Sequence, residues 1–251
     1  TPAIVEWLAD HHGWGSVFDW SIGWGTLGVL TACLLREKRR AFEGGAPPVG
    51  ALGMLWREPR VRRIILVMNL AGGAFGTVFI FHQPFALEQG MTQVAGFFVA
   101  YALAAIVVRL FFSGLADQLG RQETAALSLM LYALAVASAA LLRPGLLELI
   151  GGLIGMAHGI FYPACNALAI EGVPRERRGS MMSLYHGSFN GGTALALLCG
   201  GFLARWLGYP MLFVLVGVFG LAGAWLLWRG DLREPQETEF PDGLPGPSSG
   251  A

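Results

Sequence analysis

Long apolar stretches follow one another along this chain, broken by short polar turns. Residues 64–87, 89–108, 124–142, 149–170, 179–204 and 206–228 contain no Asp, Glu, Lys or Arg. About 20 apolar residues suffice for a helix to cross the hydrocarbon core of a bilayer. With a further apolar stretch near the start, the pattern predicts seven membrane-spanning helices. They fall near 15–35, 64–84, 93–113, 124–142, 146–170, 180–204 and 210–228. The expected fold class is an all-α membrane protein.

The polar turns orient these spans. Taken alternately, the segments 36–63, 114–123 and 171–179 and the tail after 228 hold fourteen of the seventeen basic residues. The opposite turns hold only Arg143 and Arg205, and Arg109 lies inside a span. Basic loops stay on the cytoplasmic side, so the first set is read as cytoplasmic. The segment 36–63 reads as a basic linker rich in helix breakers, from Arg36-Glu-Lys-Arg-Arg40 through Pro47-Pro48 to Arg62-Arg63. The tail 230–251, rich in Pro, Gly, Ser and acids, reads as disordered.

Composition narrows the class further. Over 251 residues, 54% are hydrophobic and 14% charged, against about a quarter charged in soluble domains. The formal net charge is zero, which removes the electrostatic footprint of a nucleic-acid partner. Cys33, Cys165 and Cys199 sit in apolar runs with neither metal-site nor disulfide spacing, and read as small packing residues. No metal or cofactor is expected. Gly pairs at four-residue spacing, Gly72/Gly76, Gly155/Gly159 and Gly187/Gly191, predict close helix contact.

One turn carries a family signature. Gly114-Leu-Ala-Asp117-Gln-Leu-Gly120-Arg121, with Arg109 just upstream, resembles the cytoplasmic G-x-x-x-D-x-x-G-R loop of the major facilitator superfamily of secondary transporters. Gln118 and Gln122 stand where that family usually has Arg or Lys. Further along, Gly155-Met-Ala-His158-Gly159, Tyr162-Pro163, Glu171-Gly-Val-Pro174, Arg178-Gly179 and Leu207-Gly208-Tyr209 resemble the last three helices of that family, nearest its efflux-permease-like branches. Trp14-Gly15-Ser16-Val17-Phe18 resembles the entry into its sixth helix.

The resemblance implies a definite organisation. Residues 1–35 would be the last helix of an absent six-helix N-terminal half, and 64–229 the C-terminal six-helix bundle of a twelve-helix transporter. The implied function is secondary active transport of a small molecule by alternating access. The branch suggests efflux of a drug, sugar or metabolite, with protons as a coupling ion, in the inner membrane of a bacterium. The implied partners are the substrate, the lipid bilayer and the missing N-terminal half. It also implies a cytoplasmic gate of paired charges, with Arg109, Gly114, Asp117, Gly120, Arg121, Glu171 and Arg178 as members.

Polar side chains inside a span are costly and mark functional positions. At 1.5 Å per residue, His158 lies roughly 18 Å into its span and Asn190 roughly 15 Å, both near the midplane. His158, Tyr162 and Asn166 recur every four residues along one helix face, and His186 shares a face with Asn190. These five, with Asn69 and Tyr101, are the candidates for a substrate cavity; helix-to-helix hydrogen bonding is the competing reading. Two other functions are weighed. An intramembrane serine hydrolase is suggested by Ser113-Gly114 and His186-Gly-Ser188, but Ser113 lacks the preceding Gly of a nucleophile motif. The other is a seven-helix receptor or retinal protein: the last span has no Lys for a retinal Schiff base, and the basic linker fits a transporter better.

Overall fold

A computed structural model describes residues 2–34, 51–111 and 119–230. Gly114 and Asp117 of the polar turn, the first part of the basic linker and the tail lie outside them. The described residues are helical, with no strand among them. The helices are α1 (Pro2–Leu34), α2 (Ala51–Arg57), α3 (Pro59–Glu88), α4 (Ala95–Phe111), α5 (Arg121–Ser138), α6 (Leu147–Ile170) and α7 (Arg175–Arg229). A short 3-10 turn, Ala139–Leu141, follows α5.

Several boundaries have plain local causes. Pro59 opens α3, where its missing N–H is no loss. At the far end Gly90 takes a φ of +78°, and the Met91 N–H donates back to the Ala86 carbonyl at 3.0 Å. That return bond satisfies a carbonyl the helix end would otherwise orphan. α7 is helical on both sides of Gly208, whose φ of 78° and ψ of 160° are open to glycine almost alone. Pro210 then starts the second arm. The spans expected at 180–204 and 210–228 are these two arms, 175–207 and 209–229.

Contacts fix the direction of every arm. Along α3 and the first arm of α7, Gly72 meets Phe189, Gly76 meets Thr193 and Phe81 meets Gly200. The two therefore run the same way. Phe85 then meets Phe213, Gly223 meets Leu70 and Gly230 meets Arg63, so the second arm runs back. α4 and α6 are parallel, with Phe97 against Gly151, Tyr101 against Gly155 and Ala105 against Gly159. α5 lies antiparallel to the second arm, with Ala137 at Gly217 and Leu129 at Gly223. The result is an up-and-down bundle of six helical arms.

Glycine sets how closely these arms approach. A Cβ on Gly72 would collide with the Phe189 carbonyl, and one on Gly192 with that of Asn69. The Thr193 hydroxyl donates to the Gly72 carbonyl (3.0 Å) and the Asn69 amide to the Ser188 carbonyl (3.2 Å). The α4/α6 pair is equally close at Gly151 and Gly155. In lipid, where no hydrophobic effect drives helices together, such small-residue contact is a principal source of association.

Four expectations change. Helix is present at 51–57 and again from Pro59, inside the stretch read as linker, because its apolar residues Leu55 and Val61 are buried against the bundle. The Gly187/Gly191 pair is not the contact face: nothing would lie within 4 Å of a Cβ on Gly187, and Gly192 makes the crossing instead. Of the cysteines, Cys165 is buried, whereas Cys33 and Cys199 are exposed. α1 begins at Pro2, earlier than expected, with non-helical angles at Gly13. It touches the bundle chiefly at α4 and buries little beyond Val17.

Candidate functional site

His158 sits at the middle of the bundle, on α6, with 8% of its surface exposed. Five rings surround it. Phe75 of α3 is 5.2 Å away between centroids, Tyr101 of α4 6.0 Å, Tyr132 of α5 5.6 Å, Tyr162 of α6 5.4 Å and Phe189 of α7 6.3 Å. The Tyr101 hydroxyl and His158 Nδ1 share a hydrogen bond of 2.6 Å. One turn along α6, the Tyr162 hydroxyl and His186 Nδ1 share another of 2.9 Å. The Tyr185 hydroxyl donates to the Tyr162 carbonyl at 3.1 Å, locking α6 to the first arm of α7.

These bonds form two tyrosine–histidine dyads joined through the His158–Tyr162 ring contact. The first is inside the bundle. The second opens outward, because His186 is exposed. Asn190, one turn further, is exposed too, and Asn166 is half-buried. Asn69 faces the same arm but uses its amide on the Ser188 carbonyl, a structural bond. The structure thus joins His158, Tyr162, Tyr101 and His186 in one chain of contacts, and leaves Asn166 and Asn190 along its open side. Among the described residues, no three His, Cys, Asp or Glu side chains converge as metal ligands would.

The rings of Phe75, Phe79, Phe189, Tyr132 and Tyr185 complete the hub and are not among the sequence candidates. Phe75 and Phe79 stack at 4.1 Å, and Phe79 meets Tyr101 edge-on at 4.8 Å. A signal was available: Phe75/Phe79 and Tyr185/Phe189 each lie four residues apart, which puts each pair on one helix face.

A second cluster lies at the end of the bundle that carries the basic loops. Gly120, with a φ of +92°, leads into α5. The neighbouring Arg121 reaches from the start of α5 to Glu171 at the end of α6, with Nη1 and Oε1 3.5 Å apart. Nearby, Arg60 donates to the Leu168 carbonyl (2.9 Å) and Arg178 to the Val173 carbonyl (3.1 Å). Arg60 thereby caps the carbonyl end of α6, where positive charge is favoured, and Arg178 holds the turn that follows it. Gln122 donates to the carbonyls of Leu227 and Gly230, tying α5 to the end of α7. Arg109 is exposed in the last turn of α4.

A polytopic helical bundle, with helix pairs locked through glycine and polar groups held at mid-depth, defines an integral membrane protein. The family model for the Major Facilitator Superfamily matches residues 1–152 and again 98–249, and the chain belongs to that family. The uncharacterized MFS-type transporter YhhS of Salmonella enteritidis is 24% identical over 231 residues, covering 89% of this chain and 55% of the relative. A gallate transporter of Pseudomonas putida is 32% identical over 118 residues, covering 45% of this chain and 25% of the relative. The vesicular glutamate transporter 3 of Danio rerio is 29% identical over 145 residues, covering 58% and 22%. The chain spans about half the length of the YhhS proteins it matches along most of its own length.

Proposed function

We propose that this chain supplies the C-terminal half of a secondary active transporter that moves a small molecule by alternating access. The observation that carries it is the pair of tyrosine–histidine dyads, which lead from a buried His158 to an exposed His186 at mid-depth in the bundle. In a transporter assembled from two bundles, polar groups at mid-depth line the substrate path between them. The relatives are named as transporters, and the preceding half of a longer protein would supply the facing wall. The reading extends to outward export, to protons as the coupling ion and to the inner membrane of a bacterium. Histidine suits the coupling because its imidazole can both accept and donate a proton.

At the cytoplasmic end the reading assigns Arg121, Glu171, Arg109 and Arg178, with Gly114, Asp117 and Gly120, to a gate. An exposed ion pair such as Arg121–Glu171 is worth roughly 0–1 kcal/mol, weak enough to break and re-form in each cycle.

The test uses Asn190→Cys in the full-length protein, with the native cysteines replaced. Alternating access predicts that a membrane-impermeant maleimide labels the new thiol from either side of sealed vesicles. Labelling from one side alone, under every condition of substrate and gradient, would overturn the reading.

A further inference from the structure

The bundle contains two pairs of helices locked backbone to backbone. One is α3 with the first arm of α7, stitched by Gly72, Gly192 and two hydrogen bonds. The other is α4 with α6, stitched by Gly151 and Gly155. What lies between the two pairs is rings. Phe75, Phe79 and Phe189 come from the first pair, and Tyr101, His158 and Tyr162 from the second. Locked backbones resist separation. Tyr162 is held across the seam by its bonds with His186 and Tyr185, whereas Phe75, Phe79 and Phe189 meet Tyr101 and His158 through rings alone, and those rings can part without breaking a hydrogen bond. A flat guest can therefore enter this seam while each helix pair stays intact.

The seam also carries unmatched polarity. The Tyr132 side chain is fully buried, and its hydroxyl has no hydrogen-bond partner among the described residues; the same holds for His158 Nε2. Their rings face one another at 5.6 Å. Buried polar atoms are nearly always paired, because an unpaired one loses its water for nothing. Two such atoms on adjacent rings suit oxygens brought in by a guest. Among the described residues the side chains that meet across the seam are uncharged; the cation Arg109, whose charge is felt at Tyr101 and His158, is exposed two turns along α4 from Tyr101.

Resting on the transporter reading, we infer that the substrate is an uncharged planar aromatic molecule carrying hydroxyl or carbonyl oxygens. Its ring stacks between Phe75 and Phe189 on one side and Tyr101 and Tyr162 on the other. Its oxygens meet His158 and Tyr132. Offset and edge-on ring contacts favour a flat aromatic body over a saturated one of equal size.

Calorimetric titration of the purified full-length transporter tests this with three probes: para-hydroxybenzamide, its saturated counterpart 4-hydroxycyclohexanecarboxamide, and the cation benzyltrimethylammonium. Saturable binding of the first and none of the second is expected. Tyr132→Phe should weaken that binding roughly tenfold, as loss of one buried hydrogen bond does. Phe189→Leu should weaken it by a similar factor. Ser128→Ala, on the same helix but bonded to its own backbone, should not alter it. Should Tyr132→Phe fail to fold, Phe189→Leu and Phe75→Leu carry the test. Equal binding of the saturated probe overturns the inference. So does tighter binding of the cation, which rings alone can hold, and so does undiminished binding in the ring variants. If no probe binds while Asn190→Cys is still labelled from both sides, the substrate class falls and the transporter reading stands. If two-sided labelling fails as well, both fall.

Discussion

Gly72 and Gly187 are both helical glycines in the middle of spans, and a single added methyl group would treat them differently. At Gly72 it would drive into the Phe189 carbonyl, backbone against backbone, where no side chain can turn aside. At Gly187 it would meet nothing within 4 Å. Gly72→Ala should therefore destabilise the bundle by about 1–3 kcal/mol or more, the range for overpacking a tight contact. Gly187→Ala should be neutral or slightly stabilising, since alanine is the better helix former by up to about 1 kcal/mol. Unfolding titrations of the two variants in one micelle system, beside the parent protein, check the contrast. Equal stability of the two would mean that α3 and α7 do not touch through backbone at Gly72. The difference is not legible in the sequence. Both glycines have a partner four residues on, and spacing alone does not say which face of a helix meets a neighbour. That face is set by where Tyr185 and Phe189 pack, and it favours Gly192 over Gly191.

At the scale of elements, the six arms were readable because the interruptions in the charge-free runs are real turns. Gly90, Gly120, Gly145, Gly172 and Gly208 all take positive φ, and each falls between two of the expected spans. The hub around His158 was only half readable. Its polar members announce themselves by their cost in lipid, but Phe75, Phe189 and Tyr132 look like ordinary apolar filling until the helices are placed. Tyr132 in particular is on α5, which supplies no candidate for the substrate cavity. The sharpest element-level feature is the reversal at Gly208, where one residue turns a 55-residue helical stretch into a hairpin. Its backbone angles belong to a region that costs a side-chain-bearing residue about 1–3 kcal/mol. Gly208→Ala should therefore lower stability by that amount, although a Cβ there would touch nothing closer than Pro210 at 3.7 Å. A melting curve separates this strain from crowding: the stability lost should be the same in Gly208→Ala and Gly208→Ser, since conformation and not size sets the cost. A loss that grows with side-chain volume would place the cause in packing.

At the scale of the whole molecule, α1 stands apart from everything else. Trp7, Trp14, Trp20, Trp24, Leu27 and Leu30 are all exposed, so the helix presents apolar surface along most of its length. In lipid such surface is not penalised as it would be in water, and exposure by itself says nothing of instability. What matters is how little α1 gives to the bundle. Val17 is its one buried hydrophobic among the described residues, and its contacts fall chiefly on α4. The core is built by α3 to α7, which bury Met68, Phe97, Leu129, Tyr132, Phe161, Tyr185 and Phe213 among themselves. We therefore expect residues 51–230 to form a folding unit of their own, with α1 belonging to the preceding half. Removal of residues 1–34 should leave the unfolding free energy of the bundle within about 0.5 kcal/mol of the parent, the usual span for changes away from a packed core. The measurement is an unfolding titration in detergent, following the Tyr and Trp signals that remain in the bundle. A loss of several kcal/mol would show that α1 packs on α4 as an integral member, and the boundary between the two halves would then have to be drawn before Pro2.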